Sequence, residues 1–274
     1  MSIQTILAIY DGSEGAAARL DRAITLARDH DAHLTVYCFE LDPSYPPQIY
    51  GGGVATVYAG LIEDAQKRLV KSAEAATAQL DRSGLAYDVH QRFCFYDRVA
   101  EDVCALARFA DLTVLSDPKG LPLEETLTRV LEASLFGAEA PTMVLPTGYE
   151  GSVATKIQLA WNGGGEAMRA LRAAMPLIRK AGRIDILVVD PDAEAIEGAR
   201  VAQFLDRHGI AAEIVPLASN GRSVSDTLAD HVAVSGGDLL VMGAYGHSRL
   251  REFFLGGATR DMLASLPAPV IMAH

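Results

Sequence analysis

Cysteine is scarce: Cys38, Cys94 and Cys104 are the only three in 274 residues. An odd number, widely spaced and without a CxxC pair, excludes a disulfide or zinc framework and reads as the reduced thiols of a cytosolic protein. Basic residues are in deficit, with 24 Lys and Arg against 35 Asp and Glu and a formal net charge of −11. That balance excludes a sequence-independent grip on nucleic-acid phosphates or anionic lipid, both of which need cationic excess. A polyanionic ligand has to be held locally, by backbone N–H groups and a few arginines. Aromatics make up 7% of the chain, which leaves no stacking platform for bases. No apolar run approaches the roughly 18 residues of a spanning helix. The start, Met1-Ser2-Ile3-Gln4-Thr5, lacks a basic region, and the apolar stretch Ile6–Tyr10 is too short for a signal peptide. Several site motifs are missing as well: GxxxxGK[ST], HExxH, an EF-hand, GxSxG, and GxGxxG after the first strand, for which Gly163-Gly164-Gly165 is a partial match only. The expectation is a soluble, cytoplasmic protein with no membrane insertion and no nucleic-acid partner.

What is present is an ordinary globular mixture, 50% hydrophobic and 22% charged, long enough for two α/β domains of about 130 residues each. Short apolar runs alternate with segments of helical period, the βαβ signature of a parallel, doubly wound sheet. In the first half, strands are expected at Thr5–Tyr10, His33–Phe39, Tyr87–Phe93, Leu112–Leu115 and Thr142–Leu145. Helices fall between them at Glu14–His30, Val57–Arg82, Arg98–Phe109 and Glu124–Phe136. The stretch Pro43–Gly53, rich in proline and glycine, can be neither helix nor central strand. After a linker at Thr147–Ser152 the pattern restarts. Strands are expected at Ile157–Trp161, Ile184–Val189, Ala212–Leu217, Leu239–Met242 and Val270–Met272, and helices at Glu166–Lys180, Glu194–Arg207, Val224–Val234 and about Thr259–Leu266.

The halves read as copies. Asp111-Leu112-Thr113-Val114-Leu115 is echoed 127 residues later by Asp238-Leu239-Leu240-Val241-Met242, and Ala140-Pro141 is echoed 128 later by Ala268-Pro269. Tandem duplication is the reading. Residues 1–147 form one domain and residues 153–274 the other.

In an open parallel sheet, ligands sit beyond the carboxyl ends of the strands at the switch point. The segment there in the second half runs Gly243-Ala244-Tyr245-Gly246-His247-Ser248-Arg249-Leu250-Arg251, then on to Gly256-Gly257-Ala258-Thr259-Arg260. Gly243 and Gly246 let backbone approach a ligand without a Cβ clash. Gly256, Gly257 and Ala258 open a helix whose free N–H groups form an anion site. The Thr259 hydroxyl adds a donor, and Arg249, Arg251 and Arg260 add positive charge, with one of the first two at best facing the ligand. His247 has no evident orienting partner and reads as a bystander rather than a base.

The spacing Gly243-x2-Gly246-x9-Gly256, after a fourth strand and before an Ala-Pro strand, resembles the nucleotide-binding signature of universal stress proteins. The resemblance covers nearly the whole chain as two consecutive domains. It implies two Rossmann-like domains, each with five parallel strands and helices on both faces. They would pack as a pseudo-twofold dimer, with Thr142–Leu145 meeting Val270–Met272. It also implies an adenine nucleotide, ATP or else ADP or AMP, with Mg bridging its phosphates and no protein metal site. Gly246, Gly256, Gly257, Ala258 and Thr259, with Arg249, would hold phosphate, Gly243 and Asn162 would surround the ribose, and Val188 would lie by the adenine. One departure is Gly257, where ATP-binding members carry serine; losing one side-chain donor weakens phosphate binding by about 1 kcal/mol.

The first half keeps the strand-end acid, Asp11, where the second has Asn162. It lacks the glycines, with Ser116-Asp117-Pro118-Lys119-Gly120 after its fourth strand and Thr128, Arg129, Val130 and Leu131 at the later glycine positions. No triphosphate is expected there. The helix-cap alternative for Asp11 and Asn162 stays open, and Trp161 reads as core or interface packing. The leading expectation is a stress-response protein with a regulatory nucleotide in its second domain and no catalytic residue. The alternatives are a partner-binding module without obligate nucleotide, with Pro43–Gly53 as contact surface or lid, and a slow ATPase.

Overall fold

A computed structural model describes residues 2–43, 54–121, 123–191, 197–244 and 257–274. The chain divides by contact into two compact units, Ile3–Ala140 and Pro141–His274, the latter joined by the first two residues.

In the first unit the order is β1 (Thr5–Tyr10), α1 (Ala16–His30), β2 (His33–Leu41), α2 (Val54–Asp81), β3 (Tyr87–Cys94), α3 (Tyr96–Ala107), β4 (Leu112–Ser116) and α4 (Glu124–Glu132). Among the described residues its strands lie in the order β3-β2-β1-β4, all parallel. Strands covered on both faces must be apolar throughout, and Ile6, Leu34, Val36, Leu112 and Val114 are accordingly buried. Helix α2 turns Ala65, Leu69, Ala73, Ala76 and Leu80 inward at spacings of four, four, three and four, the stripe that packs a helix on a sheet.

The second unit begins with β5 (Thr142–Leu145) and continues through β6 (Lys156–Ala160), α5 (Gly165–Ile178), β7 (Arg183–Val189), α6 (Glu197–Asp206), β8 (Glu213–Leu217), α7 (Val224–Ser235), β9 (Leu239–Gly243), α8 (Gly257–Ala264) and β10 (Val270–Ala273). Its described strands lie in the order β5-β10-β9-β6-β7-β8. The strand pairing expected from sequence is present: β5 runs antiparallel to β10, with Val144 opposite Val270 and Thr142 opposite Met272. Proline in β8 sits on the sheet's edge, where its missing N–H leaves no ladder bond unmade.

The same local device recurs in both units. Asp111, entering β4, accepts hydrogen bonds from the N–H groups of Gln4 (2.7 Å) and Thr5 (3.1 Å). Asp238, entering β9, accepts them from Thr155 (2.9 Å) and Lys156 (2.8 Å). Each carboxylate fixes the start of one strand beside its neighbour, β1 beside β4 and β6 beside β9.

One element departs from its sequence pattern. The helix expected over Glu124–Phe136 is α-helical only to Glu132 and widens into a π-helical turn at Ala133–Gly137. The wider turn brings the consecutive residues Ser134 and Leu135 both to full burial and sets Gly137 against Cys104, where a Cβ would lie 2.8 Å from Sγ. Burial at Leu131, Ser134 and Leu135 has the spacings of three and four that an α-helical face also shows, so the pattern does not announce the widening.

On β3, Asp88 lies between two imidazoles, with Nε2 of His33 at 2.5 Å and Nε2 of His90 at 2.7 Å from its two oxygens, while Thr35 Oγ1 donates at 3.0 Å. Burial pushes the Asp88 carboxyl up, but the hydrogen bonds from His33 and Thr35 and the nearby imidazoles outweigh it and hold the group below its ordinary 3.8. A depressed carboxyl stabilises the fold above the unfolded value and loses that contribution as pH falls through the folded one. Asp88→Asn should therefore lower the urea midpoint at pH 6, and the gap from wild type should narrow as pH falls below the ordinary carboxylate range. A gap that stays constant as pH falls from 6 through the acid range would contradict this. The pair is half-exposed, so the effect is small.

Candidate functional site

The carboxyl end of β9 packs on the first turn of α5, and the chain enters that helix from the end of β6. Beyond β6 the chain turns at Trp161-Asn162-Gly163-Gly164. Asn162 Oδ1 accepts a hydrogen bond from Gly164 N at 3.0 Å, an Asx-turn that leads into α5, whose N-cap is Gly164 rather than a side chain. Asn162 is exposed, and its amide nitrogen donates to no described group. The helix-cap alternative is thus replaced by a turn role that, among the described residues, leaves the donor without a partner.

Trp161 N donates to Leu187 O at 2.9 Å, which extends the β6–β7 ladder by one residue. In a parallel strand flanked on both sides, successive residues bond to opposite neighbours. Leu187 therefore faces β6, and Val188, paired with Pro216, faces β8, with its side chain against Gly198 of α6. Asp190 N donates to Leu217 O at 2.8 Å, which confirms the alternation. The main-chain groups of Val189 consequently face the β6 side, past Trp161. The backbone edge that sequence reasoning put near Val188 is offered one residue on. The strand's period of two was the signal that separates them.

Gly243 closes β9. A Cβ there would lie 2.6 Å from Ala167 N and 2.8 Å from Glu166 Cβ, so the first turn of α5 packs directly on the strand's end. The glycine is required by this packing whatever else passes over it. Glu166 is brought to the same corner: Arg169 donates to its Oε1 at 2.9 Å, and its side chain is 20% exposed. Glu166 belongs to no motif of the sequence; an acid in the first turn of a helix beside a strand-end amide was the available signal.

Gly257 and Ala258 open α8. Thr259 is 3% exposed and shares the inward face of α8 with Met262 and Leu263, while Arg260 is exposed. Gly246, Arg249, Arg251, His247 and Gly256 lie outside the described residues, as does most of the Pro43–Gly53 stretch. Among the described residues no group of three His, Cys, Asp or Glu side chains could hold a metal ion, and no helix is long and apolar enough to cross a membrane.

The corresponding edge of the first unit is filled by its own side chains. Asp11 Oδ1 lies 2.5 Å from an Arg19 nitrogen, in an ion pair whose side chains are 1% and 6% exposed. The same carboxylate accepts from Ser13 N (3.0 Å), Ser13 Oγ (2.7 Å) and Ser116 Oγ (3.0 Å). In the loop after β4, Lys119 N donates to Asp117 Oδ1 and Gly120 N to Glu124 Oε2, each at 3.0 Å. Pro118 is buried, and burial pushes the Asp117 carboxyl up. Helix α4 opens on Glu124 and Glu125, which are favourable to its own dipole and repel an outside anion.

The doubly wound, largely parallel sheets with helices on both faces place the protein among Rossmann-like α/β folds. The universal stress protein family model matches residues 155–274. Over the whole chain the fold resembles a universal stress protein from Archaeoglobus fulgidus DSM 4304, at 16% identity over 98% of this chain and 97% of that one, with a TM-score of 0.70. A putative universal stress protein from Pseudomonas aeruginosa UCBPP-PA14 is similar at 16% identity over 99% and 93% of the two chains, TM-score 0.61. The cytoplasmic domain of a prokaryotic cation chloride cotransporter shares the fold at 12% identity over 100% and 95%, TM-score 0.52. No curated protein matches the chain.

Proposed function

We propose that the second domain binds an adenine nucleotide, ATP foremost, as a regulatory ligand of a stress-response protein, and that the first domain does not. The observation that carries this reading is the asymmetry between equivalent edges. In the first unit the strand-end acid is spent on Arg19 and Ser116, and the loop amides are spent on Asp117 and Glu124. In the second, the Asn162 amide nitrogen donates to no described group, the main chain of Val189 faces the β6 side past Trp161, and the nearest atoms to Gly243 belong to the start of α5. An adenine needs a backbone donor and acceptor, which the Val189 edge supplies. A phosphate chain needs free N–H groups, for which Gly246, Gly256, Gly257 and Ala258 are the candidates, with Arg249 beside them. Thr259, turned inward, is the weakest member of that set. Mg would be held by the phosphates themselves.

Gly256→Val should weaken Mg-ATP binding by about 100-fold, ~2.7 kcal/mol, in isothermal titration, because a branched side chain fills the place where phosphate must approach backbone. Unchanged affinity would overturn the phosphate assignment. The partner-module reading has one observation in its favour, the exposed Phe95, Phe109 and Phe136 of the first unit, with Phe109 83% exposed. Wild-type protein that binds no nucleotide would favour that reading.

A further inference from the structure

We propose that Glu166 is the residue through which the second domain selects for the ribose diol of its ligand, an inference that rests on the nucleotide reading above. Four residues after Asn162 the chain has Glu166; four residues after Asp11 it has Gly15. The second unit thus lost the acid at the strand end and carries one in the first turn of the following helix. The geometry brings the two positions together. Asn162 Oδ1 and Glu166 Oε2 each lie 3.0 Å from the point a Cβ on Gly164 would occupy, with Asn162 Nδ2 3.5 Å from it. Both side chains therefore flank one side of Gly164, at the mouth between β6 and β9.

Their hydrogen-bonding states are complementary. Arg169 takes Oε1 of Glu166 and orients the carboxylate, while Oε2 accepts no described hydrogen bond. Asn162 spends Oδ1 on Gly164 N, and its Nδ2 donates to no described group. An anionic acceptor beside a neutral donor suits a pair of adjacent hydroxyls, which donate to the carboxylate and accept from the amide. It does not suit a phosphate, which the carboxylate repels. The sugar is accordingly placed over the start of α5 and the phosphates over the start of α8. An exposed i,i+3 pair with Arg169 contributes little by itself, and it uses one carboxylate oxygen of two.

The test is titration of wild type, Glu166→Gln and Glu166→Ala with ATP and with 2′,3′-dideoxy-ATP. Wild type should prefer ATP by roughly tenfold to a hundredfold, the range for hydrogen bonds to a charged group. Glu166→Ala should bind the dideoxy nucleotide as wild type does and lose the preference, and Glu166→Gln should retain part of it. Retained dideoxy binding also shows that the variant is folded. A preference that survives in Glu166→Ala overturns the assignment, as does equal loss of both nucleotides, which a merely structural role would give. Wild type that binds both equally well refutes the diol assignment and leaves the nucleotide reading standing; wild type that binds neither refutes both.

Discussion

Arg19→Ala is expected to destabilise the first unit by about 3 kcal/mol, at the lower end of the 3–5 kcal/mol typical of breaking a buried ion pair from one side. The partners are 6% and 1% exposed, so truncation strands the Asp11 carboxylate away from water. Three hydrogen bonds to it remain, from Ser13 N, Ser13 Oγ and Ser116 Oγ, and these keep the cost from rising further. Urea unfolding followed by circular dichroism measures the loss. The double variant Asp11→Asn with Arg19→Met should recover most of it, because replacing both partners removes the uncompensated charge. A single variant within 1 kcal/mol of wild type would mean that water reaches Asp11. Freeing Asp11 should not create a nucleotide site, since Asp117 and Glu124 still occupy the loop amides.

Gly243→Val should cost about 3 kcal/mol, the upper part of the range for overpacking. The first obstacle to a side chain is backbone: Ala167 N at 2.6 Å and the carbonyl carbon of Glu166 at 2.8 Å. No rotamer change relieves that, so α5 has to move off β9. Because the start of α5 carries Glu166 and follows Asn162, nucleotide affinity should fall together with the thermal midpoint. Gly256→Val should lower affinity and leave the midpoint within a degree or two. Full stability in Gly243→Val would show that α5 does not lean on the strand end.

Most of the architecture was legible because its causes are periodic. The strand Thr5–Tyr10 has the bounds read from its apolar run, and Thr142–Leu145 pairs with the strand at Val270 as the resemblance to universal stress proteins implied. The π-helical turn at Ala133 was not legible, since burial at Leu131, Ser134 and Leu135 fits an α-helical face equally well. At the candidate site, position was easier to read than orientation. Asn162 and Gly243 stand at the carboxyl edge as expected, but a sequence cannot say that Gly243 is crowded by α5 or that Thr259 turns inward with Met262. The exchange of Val189 for Val188 came from ladder alternation, which depends on knowing which neighbour each residue bonds. The ion pair between Arg19 and Asp11, which decides the fate of the first unit's acid, joins residues eight apart, more than two helical turns in spacing, across a strand-to-helix turn.

The most direct test of the asymmetry is to purify the chain without added nucleotide, extract it with acid, and count what was bound by mass spectrometry, repeating the count after saturation with Mg-ATP. The account predicts one adenine nucleotide per chain at saturation, lost in Gly256→Val and retained in Arg19→Ala. Two per chain would contradict it, because the first unit would then accommodate a ligand at an edge whose acid and amides are already engaged.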